Sequence, residues 1–156
     1  SNHLLVRPAQ DGSVTRRELV EALRSGRLYG VFEIMGYAEG FDFTAHQGGS
    51  THEMGDEVVL SAGAIQLRAT LPRVTGLDPG ATPPELTVRI LRARQDGWDV
   101  VASGNADTAH DVTQPGAYRA EVRMRPRHLH ALLGYDKDTL AEEDRVWVYS
   151  NAIYVR

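Results

Sequence analysis

Two histidines one residue apart, His128 and His130, are the first side chains in this sequence with the chemistry to hold a metal ion. On a strand, alternate side chains share a face, so such a pair would grip one cation through both imidazoles. On a helix, two residues subtend about 200° and the pair splits across opposite faces. Pro126 just upstream favours the helical or loop reading, and a site for one metal needs further ligands. The remaining histidines, His3, His46, His52 and His110, fall at strand ends or in loops and share no spacing with the pair. Ser50 lies in Gly48-Gly49-Ser50-Thr51-His52, which approximates the Gly-x-Ser-x-Gly nucleophile elbow. His52 replaces the last glycine, and the residues that follow lead into a β-type run instead of the helix an elbow requires. A glycine-rich hairpin loop is the expectation.

Other candidates divide in the same way between chemistry and structure. Glu142, Glu143 and Asp144 are adjacent, whereas acid–base catalysis needs two carboxyl groups held in unlike environments, so they read as a solvated loop. Arg119, Arg123, Arg125 and Arg127 would suit a phosphate-bearing ligand, but Glu121 is interleaved and the same residues serve as the wet face of a strand. Trp98 and Trp147, with Tyr118, Tyr149 and Tyr154, make a sugar-stacking platform if exposed and a core if buried. The phosphate-cradling glycine loop and the dinucleotide fingerprint are absent. No residue is assigned a catalytic or cofactor-binding role.

The elements that must position these residues follow from periodicity. Thr15-Arg16-Arg17-Glu18 fits a capping box, Leu19, Val20 and Leu23 form a helical stripe, and Gly26 suits a left-handed end, which predicts one short helix. Beyond it the period falls to two, the mark of half-buried strands. Strands are expected over 28–35, 41–45, 65–71, 86–90, 98–102, 118–125 and 146–155, with a hairpin at Gln95-Asp96-Gly97. Tyr118, Ala120, Val122 and Met124 should face the core. Residues 75–84, with three prolines, read as a surface loop, and a second short helix is expected near 128–133. The fold class is therefore mostly β, an antiparallel β-sandwich of immunoglobulin-like type with one N-terminal helix.

Composition sets the outer bounds. The chain has 156 residues, 42% hydrophobic and 24% charged, with no cysteine and a formal net charge of -4. A single domain of this size buries about 68–70% of its unfolded surface and needs no disulfide or structural metal. The lack of cysteine excludes thiol catalysis and sulfur-ligated metal sites. It leaves the compartment open, with the cytoplasm slightly favoured. A mildly acidic chain is a poor partner for nucleic acid, and no apolar run is long enough to span a membrane. Residues 1–13 read as a leader, with Ser1 and Asn2 as a tag remnant and the rest as a former interdomain segment, and 14–156 as one domain. The missing initial Met suggests a piece cut from a longer protein.

Four segments together carry a resemblance. Leu19-Val20-Glu21-Ala22-Leu23-Arg24-Ser25-Gly26-Arg27-Leu28-Tyr29 is followed by Gly40-Phe41-Asp42-Phe43-Thr44-Ala45 and Met54-Gly55-Asp56-Glu57, and the chain closes on Trp147-Val148-Tyr149-Ser150-Asn151-Ala152-Ile153-Tyr154-Val155. This resembles the C-terminal region of PHP-type (polymerase and histidinol phosphatase) metal-dependent phosphoesterases, in particular the CehA/McbA-like branch, with Ala152 where that branch has proline. The resemblance covers positions 14 to 156. It implies a β-sandwich that follows a catalytic barrel binding two or three divalent metals through a His-x-His, further histidines and acids, and an Asp-x-His. There is no Asp-x-His here, and His128-Leu129-His130 lies inside the sandwich region instead of before it, so the metals and the catalysis are expected on the barrel and no catalytic residue is carried over. The implied partners are the barrel of the same parent chain and a second copy in a homodimer. The alternative is a carbohydrate-binding sandwich that uses Trp98 and Trp147.

Overall fold

Thr15 starts the first helix because its side chain and that of Glu18 satisfy backbone N–H groups that a helix leaves without partners. In the computed structural model, which describes residues 1–156, Thr15 Oγ1 accepts from the Arg17 N–H at 3.2 Å and Glu18 Oε2 accepts from the Thr15 N–H at 2.7 Å. Helix α1 then runs over Arg16–Arg24. It closes in a Schellman turn, in which the Gly26 N–H donates to Leu23 O at 3.2 Å and the Arg27 N–H to Ala22 O at 2.9 Å. Gly26 has φ 71°, a conformation in which a side chain would be strained.

The rest is mainly strand: β1 (Asn2–Leu4), β2 (Leu28–Val31), β3 (Tyr37–Glu39), β4 (Asp42–Gln47), β5 (Ser50–His52), β6 (Glu57–Val58), β7 (Gln66–Thr70), β8 (Arg73–Thr75), β9 (Glu85–Arg94), β10 (Gly97–Gly104), β11 (Thr108–Asp111), β12 (Gly116–Arg125), β13 (Arg145–Ser150) and β14 (Ile153–Val155), with a second helix α2 (Lys137–Glu142) before β13. The larger sheet has the order β1-β2-β13-β12-β14-β6, with β9 also on β12 and β10 beyond β9. The smaller has the order β11-β7-β4-β5, and β3 pairs with β8 in a ribbon. Only β14 with β6 is a parallel pair. The fold is thus mostly β and antiparallel, with two short helices.

Alternation decides what faces inward. On β12, Tyr118, Ala120, Val122 and Met124 are all buried, as their spacing predicts, and they share one apolar cluster with Phe43, Ala45, Leu67 and Ala69 of the smaller sheet. Burying this cluster from both sheets supplies the main driving force for folding, at about 25 cal/mol per Å² of apolar surface. The Tyr118 hydroxyl stays satisfied inside by donating to Gln114 O at 2.6 Å. Gly48 and Gly49, at φ 55° and 84°, form the two-residue turn that joins β4 to β5, in the left-handed conformation such hairpins require.

Several expected boundaries move. The strand predicted over 28–35 ends at Val31, and Glu33–Met35 form a 3₁₀ turn. The closing strand is two, interrupted where the Asn151 N–H turns away to Leu28 O at 3.0 Å. The helix expected near 128–133 is only a 3₁₀ turn at Arg127–Leu129, because Pro126 supplies no side-chain cap, and the true helix lies later at Lys137–Glu142. Residues 1–13 contribute a strand, since β1 pairs with β2 from Asn2↔Gly30 to Leu4↔Leu28.

Segments far apart in the chain meet at one junction. The Asn151 side-chain amide donates to Gly26 O at 2.9 Å, and the Gly55 N–H donates to Ala152 O at 2.7 Å. A Cβ on Gly55 would lie 1.7 Å from Ser25 O, so only glycine fits there. Three of the segments that carry the resemblance therefore converge, and their residues do packing work rather than chemistry.

Candidate functional site

Strand pairing turns alternation into rows across the outer face of the larger sheet. Tyr154 lies opposite Ala117, and Trp98 lies opposite Ala93. Because Tyr118 pairs with Arg92, the next step along brings Ala117 beside Ala93. Trp98 and Tyr154 thus stand at the two ends of a row floored by alanines, three strand spacings apart, or about 14 Å. Tyr149 rises from the next row but one, between Glu121 and Gly30. Its ring lies against that glycine so closely that a Cβ there would be 2.4 Å from Tyr149 Cζ. The three aromatic rings border a groove of about 360 Å³ that also touches Arg119, Asn151 and Ala152.

Arg119 is the charged group of this groove. Its guanidinium carbon sits 4.0 Å from the centroid of the Trp98 ring, a cation–π contact that fixes both side chains. One terminal nitrogen donates to Glu121, while the buried Nε–H has no acceptor. Glu121 is only 6% exposed although it is on the outer face, since Arg119 and Arg123 flank it. Arg123 Nε in turn donates to Asp144 Oδ2 at 2.6 Å. Arg125 pairs with Glu85 at 3.4 Å, and Arg127 with Glu142 at 2.8 Å. The arginine stripe is therefore a row of ion pairs, with no cluster of free guanidinium groups to receive a phosphate.

The other sequence candidates separate. Trp147, one half of the expected sugar platform, is fully buried and donates its indole N–H to Gly36 O at 2.9 Å, so it stacks on no ligand. Its strand carries it inward with Val148, whereas Trp98 lies near a hairpin tip and stays 37% exposed. His128 is buried and donates through Nε2 to Met35 O at 3.0 Å, while its Nδ1 has no partner. Burial holds His128 below the ordinary imidazole pKa. His130 points outward to Asp138 at 2.6 Å. The His-x-His pair is thus split across its 3₁₀ turn, as helical geometry dictates. No group of three or more His, Asp or Glu side chains is close enough to hold a metal ion. Ser50 opens β5 after the glycine turn. Instead of standing free in a loop, Glu142, Glu143 and Asp144 each pair with a different arginine, Arg127, Arg145 and Arg123.

One end of the molecule carries the most exposed apolar side chains. Tyr135, Ile34 and Leu132 are exposed by 96%, 85% and 81%, and Phe32 and Tyr37 by about half. They belong to the 3₁₀ turn at Glu33–Met35, its flanks, and the segment between β12 and α2. The His128 hydrogen bond to Met35 O ties these two segments together. No helix is long and apolar enough to cross a membrane. Comparison with family models, curated proteins and solved structures finds no match for this chain. What the coordinates define is a class, a mostly β protein whose two outer sheet faces differ in chemistry.

The sequence grouped Trp98 with Tyr149 and Tyr154, alongside Trp147 and Tyr118 that prove buried, but it did not place them in rows or bring Arg119 among them. The signal that would have done so is register: with β9, β12 and β14 aligned on their turn residues, the two alanines fall between the aromatic rings.

Proposed function

We propose that this chain is a non-catalytic accessory domain, immunoglobulin-like in type, of a larger PHP-type metal-dependent hydrolase, and that it docks on the catalytic barrel of the same parent chain. The observation that carries the reading is the apolar end formed by Ile34, Leu132 and Tyr135. Large apolar side chains left this exposed, on two segments tied together by the His128 hydrogen bond to Met35 O, are costly in water and point to an interaction site. Two further features support it. Three segments of the family resemblance meet at the Gly26, Gly55 and Asn151 junction, as parts of one structural unit would. The Tyr118 hydroxyl bonded to the backbone four residues upstream is the corner device of Greek-key sandwiches. Divalent metals and catalysis belong, on this reading, to the barrel.

The test has two arms. The purified chain is assayed for bound metal and for hydrolysis of phosphate mono- and diesters. Stoichiometric transition metal with turnover overturns the proposal. The coding sequence upstream of Ser1 is then read. A barrel-length open frame with a His-x-His and an Asp-x-His supports it. When that longer chain is expressed, hydrogen exchange at Ile34, Leu132 and Tyr135 should slow relative to the isolated domain. Unchanged exchange there removes this end as the docking face.

A further inference from the structure

We propose that the groove bordered by Trp98, Tyr149 and Tyr154 binds a glycan chain, with pyranose rings stacking on the open aromatic faces and Arg119 donating to a sugar oxygen. The site borders the apolar end, since Phe32 lies 6.0 Å from Tyr149, but it does not depend on the docking proposal. Its chemistry is mixed in the way a sugar demands. A pyranose presents one face of C–H bonds and an edge of hydroxyls, so it needs flat apolar platforms beside fixed hydrogen-bonding groups.

The platforms are held in place. Tyr149 packs against Gly30 with the Phe32 ring 6.0 Å away, which holds it in place, and Trp98 is braced by the Arg119 guanidinium at 4.0 Å. Both are partly exposed, as is Tyr154. The floor between Trp98 and Tyr154 is alanine, and Arg119 reaches over from the next row to lie on one face of Trp98. The hydrogen-bonding group is present too. Arg119 spends one terminal nitrogen on Glu121, its Nε–H is buried out of a ligand's reach, and its other terminal nitrogen makes no hydrogen bond to the protein. That terminal nitrogen is the donor a sugar oxygen would meet. The same guanidinium argues against the other occupant an aromatic trio suggests, a quaternary ammonium, because its positive charge already occupies the Trp98 face and would repel a second cation.

Tryptophan fluorescence gives a direct readout, since Trp147 is buried and Trp98 is the indole that solvent reaches. The intact chain is titrated with cellohexaose, xylohexaose, laminarihexaose, chitohexaose, mannohexaose and hexagalacturonate, each up to millimolar concentration. At least one should give a saturable emission change. The change should vanish in Trp98→Phe, and affinity by calorimetry should fall at least tenfold in Tyr149→Ala and in Arg119→Met. Circular dichroism confirms that each variant remains folded, and Tyr154→Ala serves in place of any that does not. Absence of a response to all six, or an affinity unchanged in both Tyr149→Ala and Tyr154→Ala, overturns the proposal.

Discussion

The two sheets turn very different faces to water. The outer face of the smaller one carries Asp42, Thr44, His46, Gln66, Arg68 and Thr70, around a groove of about 550 Å³. Most of these side chains bond to near neighbours. The His46 ring sits between the Thr44 and Thr51 hydroxyls at 3.1 and 3.3 Å, Arg68 Nε donates to Gln66 Oε1 at 2.8 Å, and Gln66 Nε2 donates to Asp111 Oδ1 at 2.9 Å. The larger sheet's groove is smaller, yet it joins rigid aromatic rings to a donor that has no acceptor. Volume is thus a poor sign of a site in this molecule. What distinguishes the two faces is chemistry the protein has not used up on itself.

Substitutions on either side of β12 test that contrast most severely. Val122→Asp would put an unpaired carboxylate into the core both sheets share, so it should cost more than about 4 kcal/mol and abolish the cooperative thermal transition. A well-folded Val122→Asp protein would mean the strand is inverted and the faces are exchanged. Next in size is Glu121→Ala on the outer face. It strips a nearly buried carboxylate from between Arg119 and Arg123 and should lower stability by about 3 kcal/mol in urea titrations.

Protonation comes third. Burial depresses the His128 pKa in the fold, while the unfolded chain titrates near 6.5. Below that value the unfolded state binds more protons, so the contribution is complete above about pH 6.5 and is lost as pH falls through the window beneath it. Urea midpoints measured between pH 7.5 and 5.5 should therefore fall. His128→Leu should flatten the slope, leaving the part carried by His110, which burial shifts in the same direction. The smallest effect is expected from Arg68→Ala on the smaller sheet, within about 0.5 kcal/mol of the parent. If that variant proves as costly as Glu121→Ala, the contrast between the faces fails.

Local signals were legible and distant ones were not. The capping box at Thr15 and Glu18, the glycine turn at Gly48 and the inward set on β12 depend on neighbours within a few residues, and each is found where its spacing puts it. The break after Ser150 was hidden because the apolar run continues to Val155, while the cause lies in Leu28 and Gly26, more than a hundred residues away. Helix α2 was missed for a related reason: Asp136 enters it at φ 58° without a side-chain cap, so the usual start signal is missing. Trp98 and Trp147 were indistinguishable as residue types, and only their positions on β10 and β13 separate an exposed platform from a core side chain.

The Gly26 and Asn151 junction also carries a kinetic meaning. Its hydrogen bond closes a span of 125 residues, and β2 meets its partner β13 only across more than a hundred residues of chain. Contacts of such long reach form slowly, because the chain's entropy must be spent before they repay it. Within the domain, helix α1 and β2 are complete while β2 still has one edge unpaired, and β13 fills that edge. The clasp is therefore a completion check, since Asn151 reaches Gly26 only where β13 lies beside β2.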